Sequence, residues 1–126
     1  MKNALQELEK VKQMNDNWDS CGSPSLTDKQ YENAKAFIEA LLDYPIREKI
    51  PEPSVGPVCG GGVQFEWQYG GRELEIEFSE NDCIEYLRIY DDIGGERIMK
   101  EGMFREDGVI HIYGLMDWLI TGRCYY

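Results

Sequence analysis

Histidine is almost missing from this chain: His111 is its only one, and it stands in the apolar run Val109-Ile110-His111-Ile112. Nucleophilic catalysis by serine or cysteine needs a base held against the nucleophile, and a lone imidazole in such a run reads as a packed or surface residue. The four cysteines, Cys21, Cys59, Cys83 and Cys124, are widely spaced and form no C-x-x-C pair. That spacing argues against a zinc site or a thioredoxin-type motif and points to reduced, partly buried thiols. Gly60-Gly61-Gly62 lacks the Lys-Ser/Thr ending and the following helix of a phosphate-binding loop, so it reads as a turn into a strand. Asp82 and Asp91-Asp92 lack the alternating ligands and terminal glutamate of a calcium loop. No cofactor and no metal are expected.

Positive charge is scarce as well. The 126 residues hold 13 Lys and Arg against 24 Asp and Glu, a formal net charge of −11. Affinity for a nucleic-acid backbone comes from cations neutralising phosphates, so direct nucleic-acid binding is not expected. A basic protein that itself handles nucleic acid fits the charge better. Long apolar runs are also absent, and Met1 to Glu7 mixes charges without the apolar centre of a signal peptide, so a cytoplasmic setting away from membranes is expected. With 42% hydrophobic residues and no repeat, the composition suits one folded domain spanning 1–126.

What is present is strong periodicity. Ala4, Leu5, Leu8, Val11 and Met14 recur at helical spacing, which predicts an amphipathic helix from Asn3 to about Asn15. Asn17 to Pro24 then mixes turn formers with Trp18 and reads as a structured loop. Thr27 and Gln30 fit a capping box and Leu26 and Tyr31 a hydrophobic staple, so a second helix starts there. It carries Tyr31, Ala34, Phe37, Ile38, Leu41 and Leu42 on one stripe and ends before Pro45. Pro45, Pro51, Pro53 and Pro57, followed by Gly60-Gly61-Gly62, predict an extended connector without an element of its own, pinned by Ile46, Ile50, Val55 and Val58.

The next segment carries most of the information. Val63, Phe65, Trp67 and Tyr69 alternate with Gln64, Glu66 and Gln68, Gly70-Gly71 turns the chain, and Leu74, Ile76 and Phe78 alternate with Glu73, Glu75 and Glu77. Side chains on a strand point alternately to opposite sides, so this hairpin gathers Glu66, Glu73, Glu75 and Glu77 opposite an aromatic core face. The acid is concentrated here: residues 63–108 hold 13 Asp or Glu against 5 Lys or Arg. Ser79 to Asp82 predicts a further turn, Ile84 to Tyr90 a third strand, Asp91 to Gly95 another turn, and Arg97 to Phe104 a fourth strand. Val109, Ile112, Tyr113, Met116, Leu119 and Ile120 fit a helical face stopped by Gly122, although Val109–Tyr113 equally suits a fifth strand. The fold class is therefore α+β: two N-terminal helices packed on a four-stranded, or five-stranded, antiparallel meander, with a C-terminal helix.

Asn17-Trp18-Asp19-x-x-Gly22, the capped helix with Ala34, Phe37 and Leu41, Pro51-x-Pro53-x-Val55-x-Pro57, Gly61-Gly62, Phe65-Glu66-Trp67 and Leu74-Glu75-Ile76-Glu77 together form a pattern. It resembles a widespread family of small bacterial proteins with an N-W-D-x-x-G loop, a proline-rich connector and an E-W strand before an L-E-I-x-I strand. The likeness runs from about residue 15 to 90. The resemblance brings no activity or catalytic residue with it. It implies a cytosolic bacterial or mobile-element setting and fold-defining roles for Trp18, Asp19, Gly22, Glu66 and Trp67.

Two functions compete. The first is a non-enzymatic inhibitor or neutralising partner, of the immunity, antitoxin or phage anti-defence type, that covers a basic surface of a nucleic-acid-handling protein. Glu66, Glu73, Glu75 and Glu77 would supply charge complementarity, and Trp67, Tyr69, Tyr86 and Tyr90, with Trp67 and Tyr86 foremost, the anchors. The same alternation also arises where charge serves only solubility. The second is a binder of a small, nucleotide-like ligand, or an enzyme acting on one, with an aromatic pocket near Trp18 and Trp67 and with Asp19 or Glu66 as polar contact. An acid–base pair among the strand glutamates is not expected, because catalysis needs a cleft and a solvated strand face offers none. Both a monomer and a homodimer are compatible with the sequence.

Overall fold

The computed structural model describes residues 2–20, 22–44, 49–79, 83–105 and 109–123. Cys21, Cys124, the Ser79–Asp82 turn beyond Ser79, Pro45, Ile46 and the residues 106–108 and 124–126 lie outside that set.

Helix α1 spans Lys2–Lys12 and buries Ala4, Leu8 and Val11. It stops earlier than its apolar spacing predicts. Met14 N–H turns back to Val11 O at 3.1 Å, and beyond it the polar side chains hold the loop: Asp16 Oδ1 accepts from Ser25 N–H at 2.8 Å and Asn17 Oδ1 from Gly22 N–H at 2.7 Å. Short polar side chains that bond nearby amides offer the backbone an alternative to helix. Helix α2, Asp28–Leu42, begins as expected at Thr27, whose hydroxyl accepts from Gln30 N–H at 3.1 Å while Gln30 Oε1 accepts from Thr27 N–H at 3.0 Å. Gln30 is itself buried and donates to Ser79 O at 3.0 Å, so the cap also fastens the helix to the end of a strand.

The sheet has five antiparallel strands in the order β1-β2-β3-β4-β5: Ser54–Pro57, Val63–Tyr69, Arg72–Phe78, Cys83–Asp91 and Arg97–Arg105. The predicted hairpin is present in the expected register, with Glu66 opposite Glu75 and Trp67 opposite Leu74. The connector differs from expectation. Ser54–Pro57 is an edge strand paired with β2, and Pro57 is tolerated because an edge strand need not donate on its outer side. The fifth strand thus comes from the connector and not from Val109–Tyr113, which opens helix α3, Val109–Thr121. Gly122, at φ +78°, closes α3 by donating to Trp118 O at 2.7 Å.

All three helices share one core with the inward residues of the sheet. Phe37 of α2 lies edge-on to Phe65 and Trp67 and tilted against Phe78, with ring centroids 5.5 to 6.0 Å away. Leu115, Met116 and Leu119 of α3 complete the cluster. The molecule is an α+β layer pair, helices on one sheet face and the other face left without a helix among the described residues. No helix among them is long and apolar enough to cross a membrane.

Candidate functional site

The uncovered face is built by strand alternation. From β2 it takes Gln64, Glu66 and Gln68, from β3 Glu73, Glu75 and Glu77, from β4 Glu85, Leu87 and Ile89, and from β5 Met99, Glu101 and Met103. The register sets Glu66 opposite Glu75 and Glu77 opposite Glu85. Like charges directly opposite on neighbouring strands disfavour the fold, so this face is electrostatically costly. Arg97 relieves one corner, with Nη2 3.4 Å from Glu73 Oε2 and Nη1 3.3 Å from Asp91 Oδ1. Among the described residues, no Lys or Arg pairs with Glu75, Glu77 or Glu85.

A concavity of about 530 Å³ lies over these groups, lined by Glu75, Glu77, Glu85, Leu87, Glu101 and Met103 with Gln64, Tyr86 and Gly102. Partial burial, reinforced by the charges of Glu66 and Glu73, pushes the Glu75 carboxyl above the ordinary carboxylate range. Glu77 moves the same way, first through burial, then through the hydrogen bond and charge of Glu85 and the charge of Glu75, with the Ser79 hydroxyl opposing. The concavity is thus short of cations, and a positive group entering it would relieve repulsion and desolvation together. No cluster of three or more His, Cys, Asp or Glu with metal-holding geometry occurs among the described residues. Beside the acid lie apolar side chains: Met99 and Met103 are 63% and 64% exposed, and Leu87 and Ile89 are half-buried.

The site residues expected from sequence divide. Glu66, Glu73, Glu75 and Glu77 do share one face. Trp67 does not join them: it is 2% exposed on the helix side and donates Nε1–H to Pro51 O at 3.0 Å, so it belongs to the core and not to an interaction surface. Tyr86 is inward by register, tilted on Phe104 at 6.2 Å, with its ring where a Gly102 Cβ would stand; it still borders the concavity. Glu85, Glu101, Leu87 and Met103 were missed, although carrying the hairpin's alternation across the next two strands finds them.

Among the described residues, Trp18, Asp19 and Trp67 are not brought together in one of the clefts described here. Trp67 packs with Phe37 and Phe65, Trp118 with Tyr90, and neither Trp18 nor Trp67 lines any of the clefts described. Asp19 instead organises its loop, accepting from Ser23 N–H at 3.2 Å and from the Ser23 hydroxyl, while Ser23 Oγ accepts from Gly60 N–H at 2.9 Å. The N-W-D-x-x-G loop and the glycine-rich turn therefore meet in space as a structural latch. Cys59 beside it is exposed and Cys83 half-buried, both as thiols. His111 is exposed and stacked on Phe104 at 5.6 Å.

Comparison of the chain with family models, curated proteins and solved structures finds no match.

Proposed function

We propose that the chain is a non-enzymatic interaction module, an inhibitor or neutralising partner whose acidic sheet face covers a basic surface of a protein that handles nucleic acid. The observation that carries this reading is the cation-poor concavity: Glu75, Glu77 and Glu85 crowd together with raised carboxyl pKa values for Glu75 and Glu77 and no cation paired to them among the described residues. A Lys or Arg from a partner supplies the missing charge, and exposed Met99 and Met103 beside it supply deformable apolar contact. Methionine takes the anchoring role that Trp67 cannot fill from the core. Immunity, antitoxin and phage anti-defence proteins are the classes this chemistry suits, in a cytoplasmic setting.

The test is capture of partners from native lysate on immobilised chain, with Glu75→Lys/Glu77→Lys as control. A basic nucleic-acid-handling protein retained by the native chain, released as salt rises and lost with the double variant supports the reading. Retention indifferent to both salt and the substitutions rejects it.

A further inference from the structure

The two edges of the sheet are built differently. β1 is four residues long, ends in Pro57 and has α1 lying against it, and a short strand with proline is a poor template for further pairing. β5 runs for nine residues from Arg97 to Arg105 and holds no proline. It meets β4 residue by residue, from Arg97 opposite Asp91 to Arg105 opposite Cys83, without a bulge. Among the described residues no strand lies on its outer side. A long, regular edge leaves backbone N–H and C=O groups pointing outward and accepts another strand unless something blunts it.

Charged side chains blunt many edges, but their order on β5 does the opposite. Glu101, Met103 and Arg105 share the acidic face, while Gly102 and Phe104 share the helix face. The segment Glu101-Gly102-Met103-Phe104-Arg105 is therefore self-complementary about Met103. Laid antiparallel on a copy of itself with Met103 at the centre, it sets Glu101 opposite Arg105 twice and Gly102 opposite Phe104 twice. Opposite charges across a strand pair stabilise it, and an aromatic ring opposite glycine fills the place of the missing side chain. Met103, 64% exposed, meets itself on the axis. Other centres fit less well. Lys100 or Glu101 at the axis would face its own charge, Gly102 there pairs no opposite charges, and Met99 there would use Arg97, which Glu73 and Asp91 already hold at 3.4 and 3.3 Å.

The helix side agrees. Gly102 has no side chain, so the Tyr86 ring lies over it at the sheet's last strand, half-buried and tilted on Phe104 at 6.2 Å. The apolar layer thus reaches the edge and stops there, and a second copy would continue it.

We propose that β5 pairs antiparallel with β5 of a second copy of the chain about a two-fold axis at Met103, joining two five-stranded sheets into one. Arg105 of each copy then stands beside Glu101 of the other, at the rim of the acidic concavity that Glu101 lines. Glu75 and Glu77 lie two strands in and Met99 lies outside the paired segment, so the acidic face keeps its access to a partner. The pairing needs no other protein and does not depend on the function proposed for that face.

The experiment is sedimentation equilibrium of the purified full chain at concentrations up to about 1 mM, the scale of a weak interface. The native chain should approach twice its monomer mass. Glu101→Arg and Arg105→Glu each turn two attractive pairs into repulsive ones and should raise the dissociation constant about tenfold. Mixed together, these two variants face each other with opposite charges and should form a heterodimer as tight as the native dimer, an outcome that misfolded chains cannot give. Met99→Lys, outside the segment, should dimerise as the native chain does. A monomer throughout the range, dimerisation indifferent to the single substitutions, failure of the mixture to recover it, or its loss in Met99→Lys would overturn the proposal.

Discussion

Gly62 shows how a single residue can decide the joint between connector and sheet. At φ +110°, a Cβ there would stand 2.6 Å from Phe78 O and 2.8 Å from Ser79 Cα, both backbone atoms that cannot swing aside. Gly62→Ala combines a left-handed backbone penalty with that overlap, and a loss of about 2 kcal/mol or more is expected in denaturant unfolding. Glu75 and Glu77 act through charge. A carboxyl whose pKa is raised on folding contributes stability that is fully present below its unfolded value of 4.5 and is lost as pH rises through the folded value. Thermal stability should therefore rise as pH is lowered from 7 toward 5. Glu77→Gln should stabilise the protein at pH 7 by about 0.2–1 kcal/mol, the scale of one repulsive cross-strand pair, and flatten that rise. Asp16 works in the opposite sense: its bond from Ser25 N–H holds its carboxyl below the ordinary 3.8, so its contribution fades only at more acidic pH.

At the scale of elements, two polar devices fix helix ends. Thr27→Ala removes one half of the capping box and should cost about 1 kcal/mol. Arg72→Met removes both donors to the last carbonyls of α3 and should cost about 2 kcal/mol, with amide exchange fastest in the final turn of that helix. The elements themselves were largely legible in the chain. The Thr27–Gln30 box and the alternation from Val63 to Phe78 each state their structure locally, and both stand where expected. The edge strand Ser54–Pro57 was hidden because proline suppresses the strand signal, and only pairing with β2 makes it a strand. Val109–Tyr113 favours a strand by residue type, yet burial of Ile112, Leu115, Met116 and Leu119 against the sheet makes it helical. Tertiary packing settles such short, ambiguous segments.

The whole molecule presents an acidic face on one thin scaffold. The acidic face was legible because a single hairpin displays its period; its full extent, with Glu85, Glu101 and the methionines, needed the register of β4 and β5. Trp67 is of a type favoured in interfaces, yet the same alternation assigns it to the core, and its 2% exposure places it there.

Repulsion retained on the acidic face despite its cost is the centre of the functional account. Its most direct test is one variant, Glu75→Gln/Glu77→Gln, measured for thermal stability at pH 7 and for salt-dependent capture of a basic partner. Raised stability together with lost capture is the predicted result. Raised stability with capture unchanged would contradict the account and leave those charges a role in solubility alone.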